Sequence, residues 1–173
     1  MSRKKIDRLL LGFSIFFFLV FSASFLLMPL GEERADGGIT SYAFAAGLMF
    51  WVSLFLGMVT QIILSHRRKV WYAAHNSRAA AARKIGLISW FKNVYASIAD
   101  GMTLLSLVGV VVAYVLTDGI GYVCYVMAFL LMFSFCMHCI LNGKNFYYVN
   151  HGNDLPKSPE KEAANTSKKG RKG

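Results

Sequence analysis

The sequence predicts an all-α integral membrane protein: a four-transmembrane-helix bundle of two hairpins, with a cytoplasmic interfacial helix and a disordered C-terminal tail. The first observation is that four apolar runs of 22, 23, 19 and 22 residues divide the chain, at 9–30, 42–64, 99–117 and 120–141. A helix needs about 20 apolar residues to cross the hydrocarbon core of a bilayer, which is about 30 Å thick. The second observation is that all 19 Lys and Arg residues lie outside these runs, and 18 of them lie in three segments.

The positions of the cations predict the orientation of the chain in the membrane. Segments 3–8, 67–92 and 144–172 hold four, seven and seven Lys and Arg residues, and Arg34 is the exception. Because Lys and Arg are retained on the cytoplasmic side, these segments are predicted to face the cytoplasm of a plasma (inner) membrane. The domain prediction is then a cytoplasmic N-terminus at 1–8, a multi-pass membrane domain at 9–150, and a basic cytoplasmic tail at 151–173.

The first apolar run also fits the start of a secretory signal peptide, because cations precede it. The small residues Ser22, Ala23 and Ser24 would suit a cleavage site. The run continues to Leu30, however, which is longer than the apolar part of most signal peptides. An uncleaved signal-anchor is therefore the preferred interpretation, and cleavage would leave three spans.

The cytoplasmic connector at 66–98 is predicted to be helical. Residues 67–84 are rich in Ala and Arg, which are strong helix formers, so they form either a basic extension of span two or a separate surface helix. Apolar residues with helical spacing predict an interfacial helix at 87–98 that leads into span three. Packing of these two helices against each other in the cytoplasm is the alternative.

The net charge of +10 indicates which partners to expect. Positive-inside topology accounts for it, and no basic segment has the signature of a nucleic-acid-binding fold, so nucleic acid is not an expected partner. The expected partners are anionic lipid head groups and either a membrane-protein partner or a second copy of the chain. The candidate head-group contacts are Arg67, Arg68, Lys69, Arg83, Lys84, Trp90 and Lys92.

Polar residues in the spans are the main candidates for a functional site, because hydrocarbon disfavours polar groups. Several lie within about two turns of the cytoplasmic ends, and antiparallel packing would bring them into one polar layer. Asp100 would accept a hydrogen bond from His138 or Lys144, with Gln61 or Asn142 as a bridge. The layer either holds the helices in register or forms a small vestibule open to the cytoplasm. Its residues are Gln61, Asp100, Thr103, His138, Asn142 and Lys144.

Cys136 and Cys139 form the second candidate site. Residues at i and i+3 share a helix face, so this pair could act in a membrane thiol oxidoreductase or bind a metal. The pair lies near the cytoplasmic end of span four, and the external loops contain no cysteine. Packing as small apolar residues is therefore the favoured interpretation. No cofactor, metal site or catalytic residue is predicted.

These patterns favour a non-enzymatic function. No phosphate-binding loop, nucleophile elbow, zinc-protease pair or dinucleotide fingerprint occurs in the chain. The sequence favours a small multi-pass membrane protein that acts as an accessory or partner subunit. One alternative is a component of an oligomeric small-solute transporter or channel. A second alternative is a thiol oxidoreductase that uses Cys136 and Cys139.

Overall fold

The computed structural model describes residues 3–31, 39–74, 90–91 and 93–151. Of these residues, 90% are helical, and there is no strand among them. The α-helices are α1 (Arg3–Leu27), α2 (Ser41–Ala74), α3 (Val94–Leu116), α4 (Tyr122–Leu141) and α5 (Lys144–His151), and a 3-10 helix at Met28–Gly31 follows α1. The helices α1 to α4 are long and apolar enough to cross a membrane. The prediction of an all-helical chain with four helices of membrane length is therefore confirmed.

Local sequence explains where the helices begin and end. Pro29 has no backbone N–H and cannot continue an α-helix, so α1 ends at Leu27 and tightens into the 3-10 turn. Thr40 caps α2, because its hydroxyl accepts a hydrogen bond from the backbone N–H of Ala43 at 3.2 Å. In the same way, the side chain of Asn93 caps α3 by accepting from the N–H of Ala96 at 2.9 Å.

The four long helices lie in a row, in the order α2, α1, α4, α3. The helices α1 and α2 form one hairpin, α3 and α4 form the other, and α1 packs against α4 to join them. In the described part of the chain, no Cα atom of α2 lies within 8 Å of one in α3 or α4. The outer helices α2 and α3 therefore each have one long-helix neighbour, whereas a closed four-helix bundle would give each of them two.

The packing places small and polar residues inside and large apolar residues outside. The face of α3 that contacts α4 carries Ala96, Ala99, Thr103, Ser106 and Ala113, all buried. Small residues allow two backbones to approach closely, which drives helix packing in lipid. Exposed residues of α2 and α3 include Phe55, Leu105 and Leu116. This distribution suits a hydrocarbon environment, in which large apolar side chains face the lipid chains.

A compact apolar cluster lies at the end of the row that carries the cations. It contains Leu11 of α1, Leu64 and Trp71 of α2, Ile140 of α4 and Tyr148 of α5. The short helix α5 thus covers the ends of three long helices. The sequence did not predict α5, because Lys144–His151 contains mostly polar and aromatic residues and continues into the predicted tail.

The predicted interfacial helix at 87–98 agrees with the structure only at 94–98, where it forms the first turn and a half of α3; it is wrong at the described residues before them. The helix α3 begins at Val94, while Trp90 and Phe91 are not helical. Phe91 has a φ of 58°, a left-handed conformation that is strained for a bulky residue. Its backbone N–H donates to Oδ2 of Asp100 at 2.6 Å, and this bond holds the chain away from a helical path.

The other connector and tail predictions have mixed outcomes. Residues 67–74 continue span two as part of α2, which agrees with a basic extension. The rest of the predicted basic helix lies at 75–84, outside the described residues. The predicted tail also lies outside them, apart from His151 at the end of α5.

Candidate functional site

The first polar cluster lies between α3 and α4 and is built on Asp100 and His138. Both residues are buried, and Nδ1 of His138 lies 2.5 Å from Oδ1 of Asp100. The ring of Trp90 packs on the imidazole, with 4.3 Å between ring centroids. Together with the bond from Phe91, these contacts fix the segment before α3 to the end of α4. An aspartate–histidine pair can hold and transfer a proton, and here Trp90 covers its imidazole.

Asn142 completes this cluster at the end of α4. Its Nδ2 donates to the backbone carbonyl of His138 at 3.0 Å and lies 3.0 Å from Nδ1 of the same residue. Nδ1 cannot accept this bond while donating its own proton to Asp100, so the carbonyl is the consistent acceptor. Oδ1 of Asn142 is buried without a donor among the described residues.

The second polar cluster joins α1, α2 and α5 at the end that carries the cations. Asp7 is buried, and its carboxylate accepts from Nε of Arg67 at 2.5 Å and from the hydroxyl of Tyr148 at 2.8 Å. Nη2 of Arg3 donates to the same hydroxyl at 3.1 Å, and the guanidinium lies over the ring of Trp71, 5.4 Å from its centroid. We call Arg3, Asp7, Arg67, Trp71 and Tyr148 the Asp7 cluster.

Electrostatics keeps the phenol of Tyr148 protonated. Burial and the hydrogen bond to Asp7 both raise the pKa of Tyr148, while the nearby Arg3 opposes them. A protonated phenol can donate to Asp7 while it accepts from Arg3. Tyr148 therefore links a cation to a carboxylate and fastens α5 to α1.

A third set of contacts, centred on Asn145, lies beside the Asp7 cluster. The Nδ2 of Asn145 donates to Oε1 of Gln61 at 2.7 Å, and its Oδ1 accepts from Nη1 of Arg68 at 2.7 Å. Nε2 of Gln61 in turn donates to the hydroxyl of Ser14 at 2.9 Å. These bonds connect α1, α2 and α5 without any residue of α3.

The predicted single polar layer is thus divided into separate clusters. Gln61 belongs to the contacts around Asn145, whereas Asp100, His138 and Asn142 form the cluster between α3 and α4. The row arrangement explains this division, because α1 and α4 separate α2 from α3. Thr103 is buried and donates to the carbonyl of Ala99 in its own helix at 2.8 Å.

Lys144 does not provide the predicted bond to Asp100. Its side chain is exposed, and it makes no ion pair or hydrogen bond with the described residues. Asp100 is instead satisfied by His138 and by the N–H of Phe91. Lys144 lies at the start of α5 with its side chain exposed to solvent.

Two of the predicted head-group cations point into the protein. Arg67 pairs with Asp7, and Arg68 donates to Asn145, so their charges are partly engaged inside the fold. Trp90 packs on His138, and Lys69 is exposed. Arg83, Lys84 and Lys92 lie outside the described residues.

The sequence reasoning missed Asp7, Arg3 and Tyr148 as site residues. Asp7 is the one acidic residue of segment 3–8, and an acidic residue surrounded by cations next to an apolar run is the signal that could have indicated it. Tyr148 could be placed only once α5 was known to fold back against α1. Asn145 follows Asn142 by three residues and so continues the helical spacing of His138 and Asn142, which is the signal that could have indicated it.

The thiols and other possible metal ligands form no defined centre in the described part of the chain. Cys124, Cys136 and Cys139 are free thiols. Among the described residues, no group of three His, Cys, Asp or Glu side chains is placed to hold a metal ion. The use of Cys136 and Cys139 in redox chemistry stays an untested prediction.

Comparison with known proteins gives no relative for this chain. No family model matches it, and no curated protein or solved structure matches it either. The function is therefore argued from the geometry above.

Proposed function

We propose that the chain is a non-enzymatic partner subunit of the plasma (inner) membrane, with its N- and C-termini in the cytoplasm. The distribution of cations supports this orientation. One end of the row contains the start of α1, the end of α2 and the whole of α5. All eight Lys and Arg residues of the described part lie at this end: Arg3, Lys4, Lys5, Arg8, Arg67, Arg68, Lys69 and Lys144. The turn between α3 and α4, at the opposite end, carries Asp118 and no cation. The positive-inside rule assigns the cationic end to the cytoplasm.

The row arrangement of the four long helices is the main observation in favour of a membrane-protein partner. Each outer helix has a long-helix neighbour on one side and an exposed apolar surface elsewhere, as at Phe55 of α2 and Leu105 of α3. Transmembrane helices associate through side-chain packing, and an outer helix of a row can accept a further helix without rearrangement of its own hairpin. These surfaces suit the transmembrane helices of another membrane protein.

The polar clusters support a structural role for the buried polar residues. Asp100 is bonded to His138 and Phe91, and Asp7 is bonded to Arg67 and Tyr148. Charged pairs of this kind are costly to break once buried, so they fix the geometry of each hairpin. The result is a rigid scaffold whose exposed surface is apolar along the helices and cationic at one end.

The charge of the scaffold indicates the chemistry of the partner. Lys69 is exposed on the last turns of α2, next to the boundary of its apolar run. We assign the partner as a membrane protein whose transmembrane helix packs on an outer helix and carries acidic residues at its cytoplasmic end. Complementary charge of this kind selects the correct partner and its orientation.

Site-specific photo-crosslinking in intact membranes tests this proposal. A photoreactive residue replaces Phe55 of α2 or Leu105 of α3, and replaces Ala113, which is buried against α4, in the control. We expect one other membrane protein to be captured from an outer helix but not from position 113. A tagged copy of that protein should then recover this chain in mild detergent.

Two results would contradict the proposal. Capture of lipid alone from both outer helices would show that these faces meet only the bilayer. Capture of this same chain would show self-association in place of a partner. Lys69→Glu should weaken the recovery of a genuine partner with acidic residues, whereas Lys144→Glu, on α5 away from the outer face of α2, should change it less.

A further inference from the structure

A cleft lies beside the Asp7 cluster, between the start of α1, the end of α2 and α5. Its walls include Arg3, Lys4, Asp7, Trp71 and Tyr148, and it is a small, open cleft with a volume of about 30 Å³. Arg3 and Lys4 bring two positive charges to it. Asp7 is the one acidic residue among the described wall residues, and it is buried, pairs with Arg67 at 2.5 Å and lies 4.0 Å from Nε of Arg3. The cleft therefore carries a net positive charge.

Arg3 is held in position for an anion. Its guanidinium lies over Trp71, and Nε lies 4.0 Å from Asp7. Nη2 donates to the hydroxyl of Tyr148 at 3.1 Å and to the backbone carbonyl of Arg67 at 3.5 Å. These contacts fix the plane of the guanidinium. Its side chain is nevertheless 44% exposed, and Nη1 takes part in none of these contacts. A charge-assisted hydrogen bond from Nη1 can bind a phosphate oxygen, and a neighbouring lysine adds a point charge.

The cleft lies at the outer edge of the head-group layer of a bilayer. Arg3 lies six residues before the apolar run of α1, about 9 Å along the helix, and Trp71 lies seven residues after that of α2, about 10 Å. The head-group layer extends about 5–8 Å beyond the hydrocarbon core on each side, so both backbone positions lie just outside it. Long Arg and Lys side chains at this level reach the phosphates at the edge of that layer.

We propose that this cleft is a binding site for a phosphate group, and that its ligand is the head group of an anionic glycerophospholipid of the surrounding leaflet. Arg3 and Lys4 bind the phosphate oxygens, and Trp71 and Tyr148 hold Arg3 in place. The inference rests on the membrane insertion of the proposed function but does not depend on a protein partner. A specific lipid here would tie the Asp7 cluster to the membrane surface.

Lipid retention by the full chain tests this site. The protein is reconstituted in phosphatidylcholine nanodiscs with or without phosphatidylglycerol, released, and examined by native mass spectrometry for bound lipid. We expect one retained phosphatidylglycerol and an affinity about tenfold lower in Arg3→Gln and in Lys4→Gln, since each removes a charged contact. Lys5→Gln is the matched control, because it removes an exposed cation of the same helix that does not line the cleft.

The variants separate a built site from general attraction between charges. An equal loss of affinity in Lys5→Gln and Arg3→Gln would overturn the proposal, and so would equal retention of phosphatidylcholine and phosphatidylglycerol. Arg3→Lys keeps the charge but not the planar guanidinium that lies over Trp71 and bonds to Tyr148, so it should recover only part of the affinity. Lys4 makes no bond in the Asp7 cluster, so a loss of lipid binding in Lys4→Gln cannot be explained by disruption of that cluster.

A competition experiment identifies the source of the phosphate. Inorganic phosphate added to the detergent-solubilised protein should leave the bound phosphatidylglycerol in place if the ligand is a lipid. Displacement of the phosphatidylglycerol by millimolar phosphate would support a phosphate-binding site but would show that a lipid is not its ligand. Failure of the chain to enter nanodiscs would overturn the membrane proposal itself, which is a distinct result from insertion without bound lipid.

Discussion

At the scale of single residues, the described structure is held by buried polar pairs. Asp100 is fully buried, and its side-chain partner is His138, whose Nδ1 lies 2.5 Å from the carboxylate. Removal of one member of a buried pair leaves the other without compensation, at a cost of about 3–5 kcal/mol in soluble proteins. Hydroxyl groups such as that of Thr103, which bond to their own helix, contribute little between helices.

This difference predicts the effect of two substitutions at the same helix interface. His138→Ala should lower the free energy of unfolding by about 3 kcal/mol, because it strands the carboxylate of Asp100 and removes the ring beneath Trp90. Thr103→Val should change it by less than about 1 kcal/mol, because its hydroxyl bonds to Ala99 of the same helix. Unfolding of the two variants in mild detergent provides the measurement.

Equal losses in both variants would contradict this account of the interface. The fluorescence of Trp90 gives a second readout, since its ring packs on His138. His138→Ala should expose Trp90 and shift its emission, and Thr103→Val should not.

At the scale of helices, close packing depends on the absence of side chains at particular positions. A Cβ added at Gly57 of α2 would lie 3.1 Å from the ring of Phe18 in α1, whereas one added at Gly47 would meet nothing within 4 Å. Each glycine follows a small residue by four positions, Gly47 after Ala43 and Gly57 after Ser53, and only Gly57 is at the contact with α1. The same pattern in the sequence therefore has different structural consequences along one helix.

We expect Gly57→Val to destabilise the first hairpin and Gly47→Val to leave it intact. The larger side chain at position 57 forces Phe18 away from α2, and overpacking of this kind costs about 1–3 kcal/mol. Valine at position 47 enters open space and is a better helix former than glycine. Thermal unfolding in detergent compares the two variants, and a greater loss for Gly47→Val would contradict the packing described for α1 and α2.

Sequence reasoning predicted the individual helices better than it predicted which helices pack against each other. Apolar runs indicated α1 to α4, because the bilayer sets a minimum length that a sequence shows directly. The order of the row depends on which faces meet, as at Gly57 and Phe18, and hydropathy contains no such information. The helix α5 and the start of α3 at Val94 depend on tertiary contacts of Tyr148 and Asp100, so their local sequences did not reveal them.

For the candidate site too, the sequence indicated the residues but not the contacts between them. Polar residues near the predicted cytoplasmic ends of the spans were identifiable, and His138 was a predicted partner of Asp100. Their division into clusters was not, because Gln61 lies on α2 and Asp100 on α3, at opposite sides of the row. Asp7 was missed because its charge is outnumbered by cations in its own segment, whereas its close partner in the fold is Arg67 of α2.

At the scale of the whole molecule, the row α2, α1, α4, α3 leads to the proposed partner. A closed bundle would pair α2 with α3 and cover much of their outer surface. The row leaves these two helices at its edges and places the Asp7 cluster and the cluster of Asp100 at separate positions along the cationic end. Partner binding and lipid binding can then occur on different surfaces of one scaffold.

The distance between α2 and α3 in a lipid bilayer tests the row most directly. Spin labels are placed at Phe55 of α2 and Val108 of α3, both exposed, in a chain without its three cysteines and diluted with unlabelled protein. A second labelled pair at Leu19 of α1 and Phe55 of α2 gives the reference for neighbouring helices. The row predicts that the first pair is farther apart than the reference by at least one helix spacing, about 8–10 Å. Equal distances for the two pairs would show a closed bundle and contradict the account.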